Sequence, residues 1–193
     1  MNLLQNVALA VFSEPSPEDA AQVCLDEVCR YNHWPAGHLY LRAKDNPNLL
    51  KPTAAWYLED ENALAACREI IFSHDLSIGH GLPGRALKSG KPCWTTDLAG
   101  DTAPGTGCMA DLGITASLAF PVISGREVLG VMSFYARLTE APHHALIELV
   151  NAAATLLGGA IAQHRTAQAL RESDTRLAGL LEFAQDAIIS MAA

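Results

Sequence analysis

Positive charge is sparse in this sequence and never gathers: thirteen Lys and Arg lie scattered among 193 residues, against twenty-one Asp and Glu, for a formal net charge of -8. Without a basic stripe there is nothing to displace counterions from a phosphate backbone, which excludes nucleic acid as a direct partner. Cysteines are few and odd in number. Cys24, Cys29, Cys67, Cys93 and Cys108 include no CxxC pair and no dense spacing, which argues against a disulfide framework or a zinc site and for a reducing, cytoplasmic setting with no bound metal. A basic region is missing before the short apolar stretch Val7 to Phe12, so no export signal is read at the N-terminus. Uninterrupted apolar runs are short as well. Gly125, Arg126 and Glu127 break the segment Ile114 to Ala136 where a hairpin turn belongs, and Leu149 to Ala162 is about six residues short of the roughly 20 that span a bilayer. No membrane insertion is expected.

What is present is an ordinary globular composition, half apolar and 18% charged, at a length that suits one core of about 150 residues plus an extension. Ser16, Pro17, Glu18 and Asp19 open a helix that runs to about Asn32, after a shorter helix over 3–12. Its stripe of Ala20, Val23, Cys24, Val28 and Tyr31 places Cys24 in the core and leaves Cys29 toward the surface. Strands are predicted at 38–42 and 53–58, around the Asn46-Pro47-Asn48 turn. Asn62 then caps a helix to about His74 with Leu64, Ala65, Cys67, Ile70 and Ile71 inside. Residues 78–98 read as loop, short helix at 83–88, loop, and a strand from Cys93. The Gly-, Asp-, Thr- and Pro-rich stretch 97–111 reads as a long excursion, a natural lid. Thr115 to Ile123 and Val128 to Tyr135 form a hairpin about Gly125. This order predicts an α+β fold of three layers, a central antiparallel sheet of five to six strands with helices on both sides.

From Pro142 the pattern is helical to the end. Leu146, Ala153, Ala160, Ala167, Asp174 and Leu181 recur every seven residues, as do Leu149, Leu156, Gln163, Leu170, Leu177 and Ala184, so both seams of a modest coiled coil can be traced. Nothing remains in the chain to cover the far half of such a helix. A homodimer through the N-terminal and C-terminal helices is therefore expected.

The stretch GHGLPGRALKSGKPCWTTDL followed by ITASLAFPVISGREVLGVMSFYA resembles the GAF domain family over residues 16–162. The tail RESDTRLAGLLEFAQDAIISM resembles the linker and opening strand of a PAS domain. These resemblances imply an N-terminal helix over 1–15, a GAF domain over 16–162, a coiled-coil signalling helix over 163–185 and the truncated start of a PAS domain over 186–193. They also imply a sensor of the histidine kinase or diguanylate cyclase type, with its output domain elsewhere, and no enzymatic activity in this chain.

Alternation along Ser117, Leu118, Ala119, Phe120, Pro121 and Val122 puts large residues on one side of the sheet and small ones on the other. The small side leaves room for a cavity. By analogy with ligand-binding family members, Ser117, Ala119 and Pro121 face a small-molecule pocket, Tyr40, Trp56, Ser133 and Tyr135 form its walls, and His80 and Cys108 lie on its covering loops. The ligand itself is not identified. Phytochrome-like relatives attach a bilin through a Cys-His pair, but Ala103 and Pro104 occupy that neighbourhood here, so no covalent chromophore is expected. GAF-like methionine sulfoxide reductases use a pair of cysteines, for which Cys93 and Cys108, flanking the lid, are the candidates. A ligand-free dimerisation scaffold is the main alternative to a sensor.

Overall fold

The computed structural model describes residues 3–14, 16–138 and 140–191, and their side chains as far as residue 176 apart from residue 10. Helix α1 spans Leu3–Ser13 and α2 spans Pro17–Asn32. The α2 start is the one its sequence prescribes: the Asp19 N–H donates to the Ser16 hydroxyl at 3.1 Å, and Pro17 sits where no intrahelical donor is needed. Its buried face is wider than the expected stripe. Ala20, Ala21, Cys24, Leu25, Val28 and Cys29 are all buried, because α2 packs at once on α1, α6 and the sheet. Cys29, expected toward the surface, lies against β1, where the absent side chain of Gly37 leaves room for its sulfur; Tyr31, expected inside, is 59% exposed.

The chain continues through β1 (Ala36–Arg42), β2 (Leu49–Leu58), α3 (Glu61–Phe72), the short β3 (Leu76–Ser77), α4 (Gly81–Ser89), β4 (Cys93–Thr95), α5 (Thr106–Asp111), β5 (Ala116–Ser124), β6 (Glu127–Ala136) and α6 (His144–Met191). Asp60 caps α3 in place of the expected Asn62, its carboxylate accepting from the Asn62 and Ala63 N–H groups at 3.0 Å each. With the helix phased from Asp60, Leu64, Cys67 and Ile71 turn inward and Ile70 outward. Helix α5 is a turn and a half inside the stretch expected to be loop. The β5–β6 hairpin turns at Gly125 with φ of 61°, a backbone conformation glycine adopts without strain.

All six strands pair antiparallel in the order β3-β2-β1-β6-β5-β4. Period-two alternation gives the sheet two apolar faces. Leu118, Phe120, Val122, Met132 and Phe134 face α1, α2 and α6, while Tyr40, Trp56, Ala119, Val131 and Tyr135 face α3, α4 and α5. The expected three layers are thus formed, with a separate core on each side.

Helix α6 belongs to the fold over its first half. Val150, Ala153, Ala154, Leu157, Ala160 and Ile161 are buried, and Gly158 sits so close to Ile123 of β5 that a Cβ would collide with its backbone. Over His144–Arg176 the helix is long and apolar enough to cross a membrane by length and composition, yet 39% of its most apolar window is buried in the fold. It is longer than the Leu149 to Ala162 run because alanines and good helix formers extend it at both ends. It continues to Met191, so the opening strand expected over 186–193 is helix as far as the described residues go. A lone strand has no neighbour to complete its ladder, whereas a helix satisfies its own backbone. The seam side chains of Leu177, Leu181 and Ala184 lie outside the described residues.

Candidate functional site

Antiparallel register sets one row of side chains across five strands on the face under α3, α4 and α5. Trp56 of β2 stands opposite His38 of β1, His38 opposite Ser133 of β6, Ser133 opposite Ala119 of β5, and Ala119 opposite Cys93 of β4. In the adjoining row Tyr135 lies between Ala36 and Ser117. Seven of the nine residues expected at a pocket, Tyr40, Trp56, Ser117, Ala119, Pro121, Ser133 and Tyr135, lie on this face of the sheet and are buried.

His38 is the residue that sequence reasoning missed. It is fully buried, and neither ring nitrogen has a hydrogen-bond partner; the Ser133 hydroxyl is buried in the same state. Aromatic rings surround the imidazole: Trp56 stacks on it at 4.2 Å between centroids and 17° between planes, Tyr40 meets it edge-on at 4.2 Å, and Tyr135 lies parallel at 6.3 Å. Burial lowers the His38 pKa to about 3 and, with a smaller push from the Asp101 charge, raises the Tyr40 and Tyr135 phenols, so all three rings are uncharged at neutral pH. The available signal was its spacing: His38 is two residues before Tyr40 in a strand and shares its face.

The space expected to be hollow is packed. Leu82, Met109, Ile114 and Val131 are buried on this side of the sheet. A cleft of about 310 Å³ opens instead beyond Trp56, lined by Ala54, Arg68, Glu69 and Phe72 together with Trp56 itself. The Trp56 backbone is pinned by the Gln22 side chain, which donates to its carbonyl at 2.7 Å and accepts from its N–H at 3.0 Å. One further bond, from the indole N–H to the Thr53 carbonyl at 3.2 Å, holds the side chain. The indole is the partition between cleft and imidazole.

The excursion over 97–113 is tied down instead of hanging free. Asp101, another residue not singled out from sequence, accepts from the Leu82 N–H at the start of α4 and from the Ala103 N–H, each at 3.2 Å. The Thr106 hydroxyl donates to the Asp101 and Ala103 carbonyls. Gly81, at φ of 56°, lets Ala103 pack directly on the α4 backbone.

Two expected residues take other places. His80 is exposed before α4, and its side chain caps nothing. Cys108 is half-buried on α5 and forms a disulfide with Cys67 of α3, with Cα atoms 5.5 Å apart. This corrects the reading of the cysteines as unpaired and of Cys93 and Cys108 as the pair that could meet, and it leaves Cys93 free. A separation of 41 residues carries no sequence signal of pairing; the packing of α5 on α3 creates it. Among the described residues, no group of three or more His, Cys, Asp and Glu is arranged to hold a metal ion. The arrangement places two buried hydrogen-bonding groups, the His38 imidazole and the Ser133 hydroxyl, among aromatic rings.

A six-stranded antiparallel sheet, with a long terminal helix behind it and a covered neutral face in front, defines the GAF type of α+β domain. The sequence profile of the GAF domain matches residues 14–162, and the chain belongs to that family. Solved structures agree on the fold. The GAF domain of an Acinetobacter phosphoenolpyruvate-protein phosphotransferase superposes with a TM-score of 0.68 at 16% identity, covering 85% of this chain and 93% of its own. Free methionine-R-sulfoxide reductase from Neisseria meningitidis, in complex with its substrate, gives 0.68 at 14% identity, covering 86% and 89%. A domain assigned to a two-component sensor histidine kinase protein from Sinorhizobium meliloti gives 0.61 at 15%, covering 82% and 99%. No curated protein matches the sequence.

Proposed function

We propose that this chain is the sensory, regulatory GAF module of a multidomain bacterial signal-transduction protein, of the histidine kinase or diguanylate cyclase type, and that it performs no bond-making chemistry itself. A small neutral molecule binds on the sheet face under α3, α4 and α5, and its presence is relayed by α6 to a second copy of the chain. The observation that carries this reading is the pair of buried, unpartnered groups, the His38 imidazole and the Ser133 hydroxyl, among the residues expected at a pocket. Buried polar groups without partners are costly, and they persist where a ligand supplies the missing bonds. Such a ligand enters from the cleft beside Trp56 by swinging the indole outward, which needs no movement of the pinned backbone.

Contact between Gly158 and Ile123 supports the relay, since it leaves no side chain between α6 and β5 to absorb a shift of the sheet. Dimerisation is supported by apolar residues at the distal end of the domain. Leu9 is 75%, Phe12 54% and Leu170 63% exposed, and α1 packs alongside α6.

A thermal-shift panel of neutral metabolites, read in parallel with sedimentation of the chain, tests the proposal. A saturable stabilisation by one compound, lost in His38→Phe, and a dimer at micromolar concentration are expected. A monomer that responds to no compound would end it. The packed space under α4 and α5 favours the second reading, a dimer scaffold that binds nothing small; the same experiment supports that reading if the chain is dimeric but unresponsive.

A further inference from the structure

We propose that this protein has a second input, thiol redox state, read by the Cys67–Cys108 pair. The disulfide fastens the cover of the sheet face, and its reduction releases that cover.

Between Cys67 and Cys108 lie β3, α4, β4 and the whole excursion from Asp97 to Gly105, so one bond closes the segment that roofs the His38–Ser133 row. Helix α5 carries Cys108 and is only six residues long, too short to hold itself in place. Its anchors are Met109, buried in the second core, the close approach of Gly105 to Ile71 and the Cys67 carbonyl, the Thr106 hydroxyl bonds to the Asp101 and Ala103 carbonyls, and the disulfide. The first two are van der Waals contacts, and the Thr106 bonds tie α5 to the excursion and not to α3. Only the disulfide ties α5 covalently to α3.

The pair also has the exposure that exchange requires. Cys108 is half-buried and Cys67 fully buried, so an attacking thiolate reaches the Cys108 sulfur first. That attack forms a mixed disulfide at Cys108, breaks the Cys67–Cys108 bond and releases Cys67 as a thiolate, which takes up a proton. A second low-molecular-weight thiol then attacks the outer sulfur of the mixed disulfide and frees Cys108. The balance is one protein disulfide and two small thiols in, two protein thiols and one small disulfide out. Oxidation by a small disulfide runs the same steps in reverse. Cys24 and Cys29 take no part: both are buried, and burial pushes their thiols up, Cys24 to about 12. Cys93 is half-buried on β4 and serves as an internal reference for labelling.

The cover that the bond fastens is that of the site proposed above, but the test uses no ligand and can fail or succeed whatever that site binds. The full chain is equilibrated in reduced or oxidised glutathione, alkylated, and weighed; backbone hydrogen exchange is followed in both states. Oxidised chain is expected to protect Cys67 and Cys108 from alkylation, while reduced chain exposes Cys108. Amides of residues 97–113 are expected to exchange about tenfold faster after reduction, with those of β1 and β6 unchanged. Cys67→Ser should exchange like the reduced chain under either condition. Reduced wild-type protein supplies the same comparison if that variant does not fold. Cys67 and Cys108 alkylated equally in both buffers, or equal exchange of residues 97–113 in both redox states, would overturn the proposal.

Discussion

His38 and Ser133 face each other across the β1–β6 ladder, both fully buried, and neither side chain has a hydrogen-bond partner. An unsatisfied buried polar group costs about 1–3 kcal/mol. Replacing His38 by Phe, which keeps a flat ring among Trp56, Tyr40 and Tyr135, is therefore expected to stabilise the ligand-free chain by about that much. Chemical denaturation at pH 7.5 measures it. A less stable variant would mean that the imidazole is bonded in solution and would remove the main support for the site.

The same residue sets a pH dependence. Burial lowers the His38 pKa from 6.5 to about 3, and the rings around it belong to Trp56, Tyr40 and Tyr135, none of them anionic. Below about pH 6.5 the unfolded chain binds a proton on this ring that the folded chain does not, so stability falls by about 1.4 kcal/mol per pH unit between there and about pH 3. This contribution is fully present above pH 6.5. Carboxylates add their own slope at the acid end, so the test is the difference between wild type and His38→Phe, measured from pH 7.5 to 4.5. Parallel curves would contradict the buried neutral imidazole.

Asp101 holds the cover through two backbone N–H groups, those of Leu82 and Ala103. Removing the carboxylate in Asp101→Ala leaves both donors without it inside the structure, at a cost of about 1–3 kcal/mol. Proteolysis should then begin within 97–113. Cleavage at unchanged rate would show that Thr106 and the disulfide suffice.

Gly158 marks the place where helix and sheet backbones touch. A Cβ there collides with the Ile123 backbone, so Gly158→Val must push α6 away from β5 and is expected to cost about 1–3 kcal/mol. If α6 is the relay, this variant also loses any ligand-dependent change in self-association. Intact coupling in a folded variant would place the relay elsewhere.

Leu170 and Phe12 are exposed and make little of the core. Leu170→Glu with Phe12→Glu should change monomer stability by no more than about 0.5 kcal/mol while weakening self-association at least tenfold, about 1.4 kcal/mol. Analytical ultracentrifugation separates the two effects. An unchanged association constant would exclude this face from the interface.

Local chemistry made some of this legible from sequence. The Ser16 cap, the Gly125 turn and the alternation along β5 each follow from interactions within a few residues, so helix starts, the hairpin and the two-faced sheet could be written down in advance. Alternation separated Ser117 and Ala119 from the large residues of β5, and the family resemblance implied Tyr40, Trp56, Ser133 and Tyr135 on the same face. Tyr31 and Ile70 lie outside and Cys29 inside, against the apolar stripes of their helices, because α2 packs on three neighbours and α3 is phased from Asp60.

By itself the sequence determined the order of most elements and the division of the sheet into two apolar faces, because these rest on backbone periodicity, turn geometry and burial of apolar area, while the family followed from the resemblance of its motifs. Tertiary structure alone decided that His38 has no partner, that side chains fill the expected hollow, and that Cys108 bonds Cys67 and not Cys93. Each of these depends on which distant segments come within a few ångströms of one another, and that proximity is set by the packing of whole layers, which no local pattern encodes.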